Sequence, residues 1–434
     1  MNIIPFAFVL FGAILPHVCS ALPLQDLIDA APDGGVLAPP KGVYEGPVRI
    51  SHPIILDGSH GVTIDAGGEG SVIYLSTDGA IVKNLTLRNS GDQHNDVDAG
   101  IQVKGNYNTI KNNSIENCLF GVDLSQSDNN IVRKNYITSK GDRSLGLRGD
   151  AIRLWYSKNN EVSENTIVDS RDVVVWYSES NRLVNNSMRD GRYGIHFMYS
   201  QYNEVTENSI EGNSVGIFLM YSDNVVLRRN NISHGDGPTA MGIGLKESSG
   251  ITIEGNNVFY CSRGMYFDVS PLQPDTINRI ARNTIAFNGM GVVFHNDWVG
   301  NELVGNVFRD NFQTVSVNTW ASVKRNLWEG NYWDTYLGFD QDNDGIGDTP
   351  YKMKLYSDRL WIDVPSVSFF RSSPSLTVID FLERLAPFSE PLLLLEDKSP
   401  ILNEQQAMLR TSASRSEYEK DLPKRYDPFG LYSE

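Results

Sequence analysis

Basic residues are scarce in this 434-residue chain: Lys and Arg number 37 against 53 Asp and Glu, leaving a net charge of −16. No stretch gathers the basic residues into a cluster. A nucleic-acid partner is excluded on that ground, because such binding rests on a basic footprint that neutralises phosphates. Cysteine is scarcer still, with three in the whole chain, so a disulfide-stapled fold is excluded as well. Cys118 and Cys261 each stand three residues before the glycine of their own repeat, Gly121 and Gly264, six repeat units apart. At about 4.8 Å per unit they lie roughly 29 Å from each other, beyond disulfide reach, and are expected to be buried and unpaired.

A long uncharged apolar run is also missing after the first residues. The opening "MNIIPFAFVLFGAILPHVCSALP" has an apolar run from Ile3 to Leu15, too short to span a bilayer and followed by small residues. It reads as a secretory signal over residues 1–21, cleaved after Ser20 or Ala21, although no Lys or Arg precedes the run. His17 and Val18 fit a lipoprotein cleavage box around Cys19 poorly. The mature protein is expected to be soluble outside the cytoplasm.

What is abundant is a repeat. The unit N-x-[IVL]-x-x-N-x-[IVMF], a turn, then G-[IV]-x-[LF]-x, has good copies starting at Asn108, Asn160, Asn181, Asn203, Asn278 and Asn301. Its second Asn is read at 113, 135, 165, 186, 208, 230, 256, 283, 306 and 326, a period near 22 with longer insertions. That period is too short for helical pairs, and the anchors are Ile, Val and Asn where a leucine-rich repeat would have Leu. Three short strands per unit, joined at Asn- and Gly-rich corners, predict an all-β parallel β-helix over residues 22–350. Apolar side chains would stack inward, Asn amides would form a ladder at one corner, and Gly would supply the backbone conformation at the next. About 13 coils are expected, roughly 60 Å in length. "LQDLIDAA" (24–31) reads as a helix covering the open edge of the first coil. Residues 351–434 leave the repeat; "SLTVIDFLERLAPF" (375–388) has helical periodicity and precedes the apolar "EPLLLLEDKSP". This extension is either a cap or an arm that docks on another protein.

The motif "GIHFMYS" at 194–200 returns as "GIFLMYS" at 216–222. If the β-branched set faces the core, the alternate residues form outward columns. One column runs Asp123, Arg153, Val174, His196, Phe218, Gly244, Tyr266, Val293; its neighbour runs Ser125, Trp155, Trp176, Met198, Met220, Lys246, Asp268, His295. Met198 and Met220 should therefore sit about 4.8 Å apart, close to twice a metal–sulfur bond of about 2.3 Å. His196 would lie on the same face. Two thioethers and an imidazole suit soft Cu(I) better than Ca, Mg or Zn, whereas the bland alternative makes the methionines adaptable packing residues. Trp155 and Trp176 offer a rival, a sugar-stacking platform on a carbohydrate-binding or carbohydrate-active protein. Glycoside hydrolysis needs two carboxyls across one cleft, and beside Asp123 stands Arg153. "DQDNDGIGD" (340–348) spaces Asp340, Asp342, Asp344 and Asp348 like the start of a calcium loop, but Tyr351 holds the position of the expected twelfth-place acid. A calcium-pinned turn and an Asx-rich turn are both open.

The stretches "LIDAAPDGGVLAPPKGVYEGPVRI", "DGRYGIHFMYS", "GIFLMYS", "GNYWDTYLGFDQDNDGIGDTPY" and "DRLWIDVPSVSFFRSSPSLTVIDFLERLAPF" together resemble the NosD family. The resemblance implies a right-handed β-helix in the periplasm, without enzymatic activity of its own. It implies work with the membrane subunit of an ABC transporter and a copper chaperone, in assembling the copper–sulfide centre of nitrous oxide reductase. It points to copper at His196, Met198 and Met220, with Met241 and His295 as further candidates by position. The chain departs from the pattern late in the repeat, where "GVVFH" puts Val293 in the His slot and displaces His295. The tail would be the arm that docks on the transporter.

Overall fold

The computed structural model describes residues 23–317, 322–355, 370, 373–386, 391–404 and 406. The predicted leader (1–21) and much of the 351–434 extension lie outside these residues. The repeat winds into a right-handed parallel β-helix. Its first sheet has 13 strands, from Val36–Leu37 to Leu327–Glu329; its second has 13, from Gly42–Glu45 to Tyr332–Trp333. The third, with 12 strands among the described residues, runs from Val48–Ile50 to Gln313–Val317. Every strand pairs with its counterpart one coil on, so equivalent residues stack. Ile195, Ile217, Ile243, Met265 and Val292 form one such inner column, and all are buried. β-Branched residues suit this work because their stiff side chains fill a pleated surface at little rotamer cost.

The asparagine ladder forms with one correction. The backbone N–H of Asn113 donates to the Asn135 side-chain oxygen, and the relay continues through 165, 186, 208, 230, 256, 283 and 306. The next rung is Asn331, not Asn326. Asn326 belongs to the ladder of the unit's first Asn, where it accepts from Asn301. Trp328 occupies the aliphatic slot of that last unit, which hid its true phase in the sequence. The relay then ends on Asp397, a fully buried carboxylate that accepts from the Gly330 and Asn331 backbone N–H groups, the Asn331 amide and the Trp333 indole.

The repeat glycine also has a different reason from the one expected. Gly194 and Gly216 are absent from the residues with positive φ. A Cβ at Gly194 would instead fall 2.5 Å from Ile210 Cγ2 and 2.6 Å from the Gly216 carbonyl oxygen. Close approach, not a left-handed corner, demands glycine here. The corners are turned by other residues, many of them Asn, Tyr and Asp at φ near +55°. Pairing between Asp172–Trp176 and Tyr193–Met198 shifts register just at this glycine. The bulge points Gly194 and Ile195 both inward and so returns Tyr193 and His196 to the same outer face.

Both ends of the coil are closed. Helix α1, Leu24–Ala30, buries Leu24 and Ile28, and its Gln25 side chain hydrogen-bonds both backbone groups of Arg49 on the first strand of the third sheet. At the other end Tyr351–Leu355 pairs antiparallel with Leu392–Asp397, and Leu355, Leu394 and Leu395 join the main core. These described strands of the extension pack on the core. Helix α2, Pro374–Leu385, is capped by the Ser373 hydroxyl and leaves Val378, Ile379, Phe381, Leu382 and Leu385 exposed. Cys118 and Cys261 are buried and unpaired, and burial pushes both thiols up to about 11. No helix among the described residues is long and apolar enough to cross a membrane.

Candidate functional site

Four successive coils end their third-sheet strand in one signature: Trp155-Tyr156-Ser157, Trp176-Tyr177-Ser178, Met198-Tyr199-Ser200 and Met220-Tyr221-Ser222. The serines form a further ladder, the backbone N–H groups of Ser157, Ser178 and Ser200 each donating to the next serine's hydroxyl at 2.9–3.1 Å. Ser178, Ser200 and Ser222 also donate back to the carbonyls of Trp176, Met198 and Met220, pinning those residues in place. The tyrosines are all left-handed, at φ 50° or 51°, which throws their rings outward into a stack with centroids 4.8, 5.3 and 4.8 Å apart. The tyrosine stack and the serine ladder went unread in the sequence, although the fourfold [W/M]-Y-S signature is the signal that carries them.

This framework sets Trp155, Trp176, Met198 and Met220 in strict register as one outward column. Val174, His196, Phe218, Gly244 and Tyr266 are the neighbouring column. The imidazole of His196 crosses to the next coil, placing Nε2 3.3 Å from the Met220 sulfur. Met198 and Met220 are half-buried, while His196 is only 6% exposed despite facing outward. Its neighbours explain this. Tyr193, delivered by the bulge, stacks on the ring at 4.7 Å; Trp176 meets it edge-on at 5.8 Å, and Phe218 lies at 6.3 Å.

Burial pulls the His196 pKa down to about 4; Asp172 opposes this, and Arg192 and Arg171 add to it. The imidazole is therefore neutral near pH 7, the state in which a ring nitrogen can ligate a metal. Its Nδ1 is buried without a partner. Because the folded pKa lies below the unfolded value of about 6.5, the unfolded chain binds the proton more tightly. The stability contribution is complete above pH 6.5 and is lost as pH falls towards 4, on the order of 3 kcal/mol. In the apo protein the His196 ring signal should titrate by NMR with a midpoint near 4. A midpoint near 6.5 would show that the ring is solvated.

Along the same face the carboxylates are matched with arginines: Asp123 with Arg153 at 2.7 Å, Asp150 with Arg171 at 2.8 Å, and Asp172 with Arg192. Burial raises the Asp123 pKa and pushes Asp150 up to about 6, each against the pull of its arginine. Bound in this way, they do not form the open carboxyl pair that glycoside hydrolysis uses. Trp155 is likewise engaged, with the Arg153 guanidinium over its ring at 4.6 Å and Tyr156 and Tyr177 against it.

The remaining candidates fall into two groups. Met241 is buried, and its sulfur shares with the Phe218 ring the space that a Cβ on Gly244 would need, so Gly244 lets both side chains lie on this face. His295 is exposed and its Nδ1 is paired with the Tyr266 hydroxyl at 3.1 Å. It lies three coils beyond Met220, about 14 Å away, so the fold does not bring it to the others. Asp340, Asp342 and Asp344 gather their carboxylates within 4.8 Å of one another in a largely exposed turn. Asp348 instead accepts from the Gln341 backbone N–H at 2.6 Å.

The donor types in this column are those that suit a soft cation. Metal–nitrogen and metal–sulfur bonds of about 2.0 and 2.3 Å span the 3.3 Å between His196 Nε2 and Met220 Sδ at an angle of roughly 100°. Met198 stands one rung away from Met220. Every donor is neutral, which favours a monovalent soft ion over Zn²⁺ or Ca²⁺.

A family model described as "Periplasmic copper-binding protein (NosD)" matches residues 138–338, a span that includes the whole column from Trp155 to His295. A protein of Pseudomonas aeruginosa named "Probable ABC transporter binding protein NosD" is 36% identical over 363 residues, covering 80% of this chain and 83% of its own. One of the same name from Stutzerimonas stutzeri is 31% identical over 416 residues, covering 90% and 93%. Among solved structures, the A-module of a mannuronan C-5 epimerase from Azotobacter vinelandii superposes with a TM-score of 0.50 at 16% identity, covering 70% of this chain and 93% of the module. That likeness is one of fold.

Proposed function

Because the chain belongs to the NosD family, we propose that it is a periplasmic accessory protein that carries Cu(I) on His196, Met198 and Met220. The observation that carries this reading is the 3.3 Å approach of His196 Nε2 to the Met220 sulfur, with Met198 in register beside it. The imidazole is held neutral by burial, so no proton has to leave before the ion binds. The half-buried thioethers leave one side of the site open, which suits receipt and release of a cargo ion more than storage.

In this role the protein receives copper from a chaperone and works beside the membrane subunit of an ABC transporter. The destination is the copper–sulfide centre of nitrous oxide reductase. The transporter association is supported by the names of the relatives. The exposed apolar residues of helix α2 are the surface we assign to that contact. The test is a titration of the mature protein with Cu(I) under reducing conditions against a chromogenic chelator. One equivalent should bind with high affinity, and Zn²⁺ should not compete at equal concentration. Absence of measurable Cu(I) binding sinks the reading.

A further inference from the structure

His196 is held by rings more than by hydrogen bonds. Its Nε2 meets the Met220 sulfur at 3.3 Å, and its Nδ1 is buried without a partner. A metal-ligating histidine usually donates its second ring nitrogen to a carboxylate, a carbonyl or water, and that bond fixes the orientation of the ring. Among the described residues the imidazole's only polar contact is a candidate ligand. The χ2 torsion is broad, so it does not fix the ring plane by itself. Another contact has to.

Of the three rings around His196, Tyr193 alone lies face to face with it at contact distance, with centroids 4.7 Å and planes 22° apart. Trp176 is edge-on at 5.8 Å, and Phe218 is tilted by 35° at 6.3 Å. Turning the imidazole about χ2 would drive its edge into the tyrosine face, so the stack holds the plane. Tyr193 is anchored in its turn. Its backbone N–H donates to Asp172 Oδ1 at 3.1 Å, and the same carboxylate accepts from the Arg192 guanidinium. That guanidinium lies over the Tyr193 ring at 4.9 Å. The bulge makes this arrangement possible. Residues three apart in a regular strand face opposite sides, whereas here Tyr193 pairs with Asp172 and His196 with Val174 on one face.

We propose that Tyr193 is the positioning residue of the copper site, keeping His196 Nε2 aimed at Met220 in place of the hydrogen bond that Nδ1 lacks. The inference rests on the copper reading and names how its nitrogen donor is held. The contact is made by the ring face, so the tyrosine hydroxyl is dispensable. A donor held in this way is already aimed before any ion arrives.

The test compares the mature protein with Tyr193→Phe and Tyr193→Val. Phenylalanine keeps the ring. Valine removes it, and Val215 fills the equivalent place one coil on, so the bulge accepts that residue. In the metal-free protein at pH 7, the tyrosine ring current should displace the carbon-bound ring protons of His196 upfield in the NMR spectrum. These signals are assigned by their loss in His196→Gln. The displacement should persist in the Phe variant and shrink in the Val variant. Cu(I) affinity, read by chelator competition, should be unchanged in the Phe variant and about tenfold weaker in the Val variant, the scale of losing a ligand's support. Should the Val variant lose its β-sheet circular dichroism, Tyr193→Leu takes its place in the same comparison.

The proposal is overturned if the ring-less variant binds Cu(I) as tightly as the unmutated protein, or if the Phe variant is weakened equally. Either outcome leaves the His–Met–Met site standing. A protein that takes up no Cu(I) overturns the site and this role together.

Discussion

Replacing Met198 and Met220 together by leucine should abolish stoichiometric Cu(I) binding while leaving the β-helix intact. Leucine is close to methionine in volume, and swaps of this kind usually cost less than about 1.5 kcal/mol even in a packed core. Both positions are half-buried, so the structural cost should be smaller still. The chemical loss is large because two of three donors vanish and only the His196 imidazole remains. Mutating partners that merely support a metal ligand costs 10–100-fold in affinity, so removal of two ligands should exceed about a hundredfold. Chelator competition on both proteins measures this, with circular dichroism to confirm the fold. A double variant that binds Cu(I) as tightly as the unmutated protein would show that the methionines only pack. The single variants should differ. Met220 touches the imidazole directly, whereas Met198 reaches the site through register alone, so Met220→Leu should be the more damaging.

The second large effect concerns the end of the solenoid. Asp397→Ala should destabilise the last coils by about 3 kcal/mol or more, since three buried N–H groups, on Asn331 and Trp333, lose their acceptor and each costs roughly 1–3 kcal/mol. Five donors converge on this carboxylate: the backbone N–H groups of Gly330, Asn331 and Ser399, the Asn331 amide and the Trp333 indole. In a solenoid each coil contacts only its neighbours, so the damage should stay near the end. Hydrogen exchange of amides around Asn306–Trp333 should accelerate by on the order of a hundredfold or more. Amides around His196 should be unaffected. Uniform acceleration along the whole helix would mean that the coils unfold as one unit, and equal protection in both proteins would mean that water replaces the carboxylate without cost.

Much of the molecule is legible in a single chain because the β-helix repeats its own local rule. A period near 22, an inward β-branched residue and a corner asparagine recur often enough that their phase can be read. From that phase the outward columns follow by alternation, which is why Trp155, Trp176, Met198 and Met220 align from the sequence alone. The repeat is illegible where its local rule is broken. Trp328 in an aliphatic slot hid the rung at Asn331. The repeat glycine looked like a corner residue, but the bulge at Gly194 depends on Ile210 and on the carbonyl of the next coil. Asp397, 66 residues beyond Asn331, carries no repeat signal at all.

The sequence alone therefore determined the fold, the stacking of Met198 on Met220 and the neutral, soft character of the donors, because stacking in a parallel solenoid is a one-dimensional matter of phase. Only the tertiary structure decided that His196 leans across to Met220, that Tyr193, Trp176 and Phe218 bury it and hold it neutral, and that arginines neutralise the nearby carboxylates. Those features depend on side-chain direction and on the dielectric that neighbouring coils create together. Phase along a chain specifies neither of them.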